Sequence, residues 1–218
     1  RSRNINKLIQ TQNPIPYPHK FHINFDLRNF VKDYGSLKSG EVKKDVVLRV
    51  AGRIYNKRAA GNKLVFYDIR DEGVKVQIMC QSDLSEGTVS FEEQNEPLRR
   101  GDIIGIVGYP GRTAPKNKIE KGEEGELSVF ATEVILLTPC LHQLPDEYYG
   151  FKDQEQRHRK RYLDLIMNPA TRNTFLTRSK MVTYIRRYFD DRDFTEVETP
   201  MMVSNTGAWH FLLVLPGV

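Results

Sequence analysis

The sequence predicts a mainly β domain, a small closed barrel of five strands with short helices, followed by the helix–strand opening of an α+β domain. Three observations carry this. Period-two alternation of apolar and polar side chains recurs in stretches between residues 45 and 138. A polar, helix-sized insertion separates the third stretch from the fourth. Beyond residue 157 the apolar spacing changes to that of helices.

The elements follow in order. Pro14, Pro16 and Pro18 block regular helix and make residues 13–18 an extended lead-in. Residues 24–35 allow one short helix. From Asp45, Val46, Leu48, Val50 and Ile54 share one face of a strand, with Val47, Arg49, Ala51, Arg53 and Tyr55 on the other. Asn56 to Asn62 reads as a turn, and Lys63 to Arg70 as a second strand. Asp71-Glu72-Gly73 turns again. In the third strand Val74, Val76, Ile78 and Cys80 face inward, while Lys75, Gln77 and Met79 face outward. Residues 81–100 hold a loop with a helix, Ile103 to Tyr109 a fourth strand, Pro110 to Gly125 a long exposed loop, and Glu126 to Leu137 the fifth strand. This order suits a barrel of the oligonucleotide/oligosaccharide-binding type, the OB-fold, though pattern alone also admits a two-sheet sandwich.

Pro139, Pro145 and Gly150 mark a linker, after which Arg and Lys become dense. Gln154 to Ile166 reads as a helix ended by Asn168-Pro169, since the residue before proline avoids the helical region. Thr171 is a candidate cap for the next helix, whose Phe175, Val182, Ile185 and Phe189 fall on one face. Such stripes are most often core. Residues 196–200 read as a strand closed by Pro200.

Composition narrows the function. Thirty-three Lys and Arg against 28 Asp and Glu leave a net charge of +5, a modest bias toward polyanionic partners. Cys80 and Cys140 form no Cys-x-x-Cys and have no nearby histidine pair, so no metal ligand is assigned and a reducing, cytoplasmic setting is expected. No apolar run approaches the roughly 20 residues of a membrane span. The chain starts at Arg1 and shows no signal peptide, so it reads as an excerpt. No Walker loop, HExxH or GxSxG motif occurs, and no catalytic residue is assigned.

With the alternating apolar residues inward, Arg49, Arg53, Tyr55, Phe66, Asp68, Lys75 and Gln77 point outward together. Glu126 and Ser128 join them if Leu127 and Val129 are core. An aromatic ring among cations and amides offers a base a stacking surface, typically ~1–3 kcal/mol per base. The competing reading of Phe66 is an ordinary cross-strand pair. Gln77 both donates and accepts, and Glu126 accepts from an imino N–H, which together suit uridine. Singly, each would be solvated surface.

Val50-Ala51-Gly52-Arg53, Arg99-Arg100-Gly101-Asp102-Ile103-Ile104-Gly105 and Gly125-Glu126-Leu127-Ser128 resemble the class II lysine–tRNA ligase family. More specific are Arg157-His158-Arg159-Lys160-Arg161-Tyr162-Leu163-Asp164-Leu165 with Asn168, which is similar to the family's R-x-R-x-R-Y-L-D-L-I junction, and Glu196 to Met202, which resembles its motif 1. The likeness spans Pro16 to Met202, with a lead-in of eukaryotic cytoplasmic type. The aspartate-attaching relatives share the architecture, but the Tyr162–Leu165 junction and the Pro16–Phe21 lead-in favour lysine.

The resemblance implies the following division: an N-terminal extension and short helix (1–44), an anticodon-binding OB-fold (45–138), a linker (139–156), the start of a class II catalytic domain with motif 1 (157–202) and a divergent tail (203–218). It implies that Phe66 stacks the central anticodon uridine of lysine tRNA, that Gln77 and Glu126 read its edge, and that Arg53 lies alongside. It also implies that Pro200 packs near the two-fold axis of a homodimer, so the apolar stripe before it would meet a second copy or a full-length ligase. ATP and Mg2+ serve the full-length family, but motifs 2 and 3 are not in this sequence, which departs from the pattern after about Val203. No cofactor and no lysine activation are therefore expected of the chain alone, and residues 170–218 would expose apolar surface. The alternative function is a non-catalytic protein-interaction module.

Overall fold

The computed structural model describes residues 1–11, 15–85, 90–115, 124–145, 150–198 and 201. They fall in two units, Arg1–Leu144 and Pro145–Val218.

The first unit is built on β1 (Leu48–Ala59), β2 (Leu64–Asp71), β3 (Val74–Gln81), β4 (Ile103–Arg112) and β5 (Leu127–Thr138). They close in the order β1-β2-β3-β5-β4, so the barrel, not the sandwich, is the fold. Every pairing is antiparallel except β3 with β5. The alternating residues Leu48, Val50, Ile54, Ile69, Ile78, Ile104, Ile106 and Val129 fill the interior at 0–1% exposure. Burying each such side chain is worth about 1.5–3 kcal/mol, which drives closure.

Among the described residues three α-helices accompany the barrel: α1 (Ser2–Thr11), which the sequence does not predict, α2 (Leu27–Tyr34), and α3 (Phe91–Asn95) between β3 and β4. The Asp26 carboxylate caps α2 by accepting the Arg28 N–H at 2.6 Å, and Leu27 and Phe30 are buried in the core. Ser90 and Glu93 form a capping box on α3. Tyr67, wholly buried, donates its hydroxyl to Asn95 Oδ1 of α3 at 2.8 Å. The Lys57 ammonium lies over the same ring and donates to the carbonyls of Asn95 (2.7 Å) and Leu98 (3.2 Å). Burial lowers the Lys57 pKa and raises that of Tyr67, while the Cys80 thiol is pushed up to about 12.

Two expectations for this unit change. Residues 56–59 belong to β1 and not to a turn, because a bulge between Ile54 and Asn56 absorbs Tyr55 and the strand continues. β4 likewise runs to Arg112 through the residues read as a loop. Past Gly108 it has left β1, and Pro110, with no N–H to give, accepts the Lys43 N–H at 2.9 Å. The turn between β2 and β3 is tight, with Glu72 and Gly73 both at positive φ (49° and 86°).

The second unit contains α4 (Gln154–Arg159), α5 (Arg161–Met167) and α6 (Pro169–Asp190). The single helix expected over 154–166 is broken at Lys160 (φ −116°, ψ 57°). α6 begins at Pro169 and not at a Thr171 cap, since a proline at the first helical position gives up only an N–H that would lack a partner anyway. Asp164 is fully buried here. Its carboxylate accepts Arg157 Nε (2.8 Å), Arg161 Nη1 (2.5 Å) and Asn168 Nδ2 (2.6 Å), which holds the three helices together. Thr171 accepts Arg157 Nη2 at 2.9 Å. The stripe Phe175, Val182, Ile185 and Phe189 is not core, being 41–51% exposed. Residues 195–198 form no strand; Pro200 and the tail from 202 lie outside the described residues.

Candidate nucleic-acid interface

Strand register decides what stands beside what on the barrel's outer face. Asp68 pairs with Gln77 and Gln77 with Ser128, giving a polar row across β2, β3 and β5. Two residues along each strand, Phe66 pairs with Met79 and Met79 with Phe130, giving an apolar row beside it. Residues two apart share a face, so the rows lie side by side. Arg58 of β1 extends the apolar row, and Tyr109 of β4 stacks on Phe130 with centroids 5.7 Å apart.

Phe66, Gln77, Met79 and Phe130 of these rows line a cleft of about 590 Å³, with Glu126, Arg58 and Arg112 around it. Gln77 Nε2 donates to Glu126 Oε2 at 2.9 Å, and Ser128 Oγ donates to Gln77 Oε1 at 2.8 Å. Glu126 precedes β5 and is latched through its backbone. Its N–H donates to Thr113 Oγ1 and its carbonyl accepts the Thr113 N–H, both at 3.0 Å. The amide therefore presents a donor and the carboxylate an acceptor, side by side, next to a half-exposed aromatic ring.

The cations around the cleft differ in availability. Arg58 lies over the Phe66 ring, 5.9 Å from its centroid, and pairs with Asp68 at 3.2 Å. Asp68 also pairs with Lys75 at 3.2 Å, and both cations are about half exposed. Arg112 is a staple: Nη1 reaches Glu124 (2.6 Å) and the Gly125 carbonyl (3.2 Å), and Nη2 reaches the Gly35 carbonyl (2.6 Å).

Of the residues singled out in sequence, Phe66, Gln77 and Glu126 come together in the cleft. Arg53 does not line it. It pairs with Arg70 and Ile103 and donates to the Gly101 carbonyl at 2.8 Å. Arg58 and Arg112 were missed because the bulge and Pro110 placed them in apparent loops. A strand allowed one bulged residue would have turned Asn56 and Arg58 outward. Among the described residues no helix is long and apolar enough to cross a membrane, and no group of three or more His, Cys, Asp or Glu could hold a metal ion.

Comparison with known proteins agrees with this arrangement. The family model for the OB-fold nucleic acid binding domain matches residues 48–137, and that for class II tRNA synthetases (D, K and N) matches residues 153–215. The chain is 62% identical over 207 residues to the lysine–tRNA ligase cla4 of Cladosporium cladosporioides, covering 95% of this chain and 34% of that protein. It is 40% identical over 186 residues to a probable cytoplasmic lysine–tRNA ligase of Encephalitozoon cuniculi (85% of this chain, 34% of that one). It is 42% identical over 193 residues to a lysine–tRNA ligase of Bacillus cereus (88% and 36%). The chain thus spans about a third of the length of the curated relatives it matches.

Proposed function

The chain belongs to the lysine–tRNA ligase family, and we propose that its barrel reads the anticodon loop of lysine tRNA by seating the central uracil in the cleft. The supporting observation is the donor–acceptor pair of Gln77 and Glu126 beside the Phe66 ring. Uracil presents an N3–H next to a carbonyl. Glu126 accepts the N–H, the second Nε2 proton of Gln77 meets the carbonyl, and the base stacks on Phe66. Cytosine presents the reverse order at these atoms and meets like against like. Lys75 and Arg58, both about half exposed, would meet backbone phosphate, and Arg53 would lie alongside the loop.

In full-length members of the family, reading the anticodon would accompany the joining of lysine to its tRNA with ATP and Mg2+, in the cytoplasm as two relatives' names state. Among the described residues no cluster of carboxylates fits the magnesium. The 218-residue chain by itself is expected to leave lysine and ATP unreacted.

The test is a fluorescence-anisotropy titration with the lysine-tRNA anticodon stem-loop and with the same loop carrying a central cytidine, at matched salt. Tighter binding of the uridine loop, weakened in Phe66→Ala, is the expected result. Equal binding of both loops would leave only phosphate electrostatics. A second reading, a non-catalytic module that pairs through α6 with a second copy or a full-length ligase, is favoured by the half-exposed stripe from Phe175 to Phe189. Pro200 would then stand near the pair's axis.

A further inference from the structure

Ser128 has no exposed surface and no direct access to a base, yet it holds Gln77, the only side-chain amide among the described residues that line the cleft. We infer that Ser128 is the positioning residue that sets uridine specificity, by fixing the orientation of the Gln77 amide; this rests on the anticodon reading above.

An amide is nearly symmetric in shape and opposite in chemistry at its two ends. In the observed orientation Oε1 accepts the Ser128 hydroxyl at 2.8 Å and Nε2 donates to Glu126 at 2.9 Å. The Ser128 hydroxyl has one proton and two acceptors in reach, Gln77 Oε1 and the Glu126 carbonyl at 3.0 Å. That carbonyl already receives the Thr113 N–H at 3.0 Å, so the proton is better used on Oε1, for which no other donor is seen among the described residues. Gln77 and Ser128 are partners in the parallel β3–β5 ladder, so this contact is built into the barrel's register.

Turning the amide over would set Oε1 against the Glu126 carboxylate and present the cleft with two acceptors. Such an edge loses one bond to uracil and gains one from the amino group of cytosine. Glu126 disfavours the turned form and Ser128 favours the observed one. Removing the hydroxyl takes away the second constraint and leaves Oε1 buried without a donor.

The test compares the ratio of affinities for the uridine and cytidine stem-loops in wild type, Ser128→Ala, Ser128→Cys, Gln77→Ala and the Gln77→Ala/Ser128→Ala pair. Ser128→Ala is expected to lower the ratio about three- to tenfold, the size of one hydrogen bond, while phosphate-driven affinity at low salt is kept. Ser128→Cys, a weak donor of similar size, falls between and carries the test if the alanine variant does not fold. In the Gln77→Ala background Ser128→Ala changes the ratio no further, which a merely structural role would not produce. If wild type discriminates and the Ser128 variants discriminate equally well, the inference is overturned and the anticodon reading stands. If wild type binds both loops equally, the anticodon reading falls and takes the inference with it.

Discussion

Asp102 accepts the backbone N–H of Cys140 at 2.7 Å, joining the start of β4 to the segment that leaves β5. The same carboxylate, wholly buried, accepts the Arg99 N–H at 2.7 Å and Arg1 Nη2 at 2.5 Å. Gly101 beside it needs φ +94°, and a Cβ there would meet Cys140 Sγ at 2.9 Å. Asp102→Ala strands these donors in a buried place and is expected to destabilise the barrel by about 2–4 kcal/mol. Asp102→Asn, which keeps one acceptor, costs less. Urea unfolding with an unchanged slope checks this, and equal midpoints for wild type and Asp102→Ala would remove the role.

Asp164 links the second unit to acid. Burial alone would raise its pKa, but hydrogen bonds from Asn168, Arg157 and Arg161 outweigh this and hold the carboxyl below its ordinary range. With the folded pKa depressed, the stabilisation is fully present above the unfolded value of about 3.9 and is lost as pH falls through the folded one. Helical circular dichroism on acid titration is expected to show this loss in wild type and not in Asp164→Asn, which is also less stable at neutral pH. Superimposable acid profiles would show that Asp164 does not control the transition.

Glu72 sits at φ +49°, a conformation that non-glycine residues adopt at a cost and that asparagine tolerates better. Its side chain pairs with Arg28 at 2.6 Å, but both groups are more than half exposed and the pair contributes little. Glu72→Asn is expected to stabilise the β2–β3 turn by about 0.5–1 kcal/mol, read as a higher melting temperature. A lower one would give the greater weight to the ion pair.

The stripe on α6 has its own test. Ile185 is 51% exposed and Val182 41%. On the proposal that α6 pairs with a second copy, Ile185→Glu is expected to weaken that association about tenfold or more in sedimentation velocity, by placing a charge in an apolar contact. Identical profiles for variant and wild type would exclude this face from the contact.

Much of this was legible in the sequence because the barrel's inner face is simple. Val50, Ile69 and Ile78 alternate with polar neighbours and so report their own strands, and the same alternation turned Phe66 and Gln77 outward. Two local exceptions hid Arg58 and Arg112. The bulge at Tyr55 broke the period, and Pro110-Gly111 carried loop-forming residues inside a strand. The α6 stripe sets a different limit: helical spacing states which residues share a face and not what covers that face. Pairing across strands lies beyond periodicity altogether. Nothing near Gln77 in the sequence announces that its neighbour is Ser128, fifty-one positions away.

That separation has a kinetic consequence. β1, β2 and β3 form a meander of neighbouring strands, whereas β3 meets β5 only after β4 and its preceding loop have been synthesised and placed. Contacts between distant residues form late, because the loop they close must be ordered before it is rewarded. A growing chain therefore completes the β1–β3 meander that carries Phe66 before the Gln77–Ser128 contact can form. On the proposed reading, the edge that would tell one pyrimidine from another is completed only when the last strand of the barrel pairs with the third.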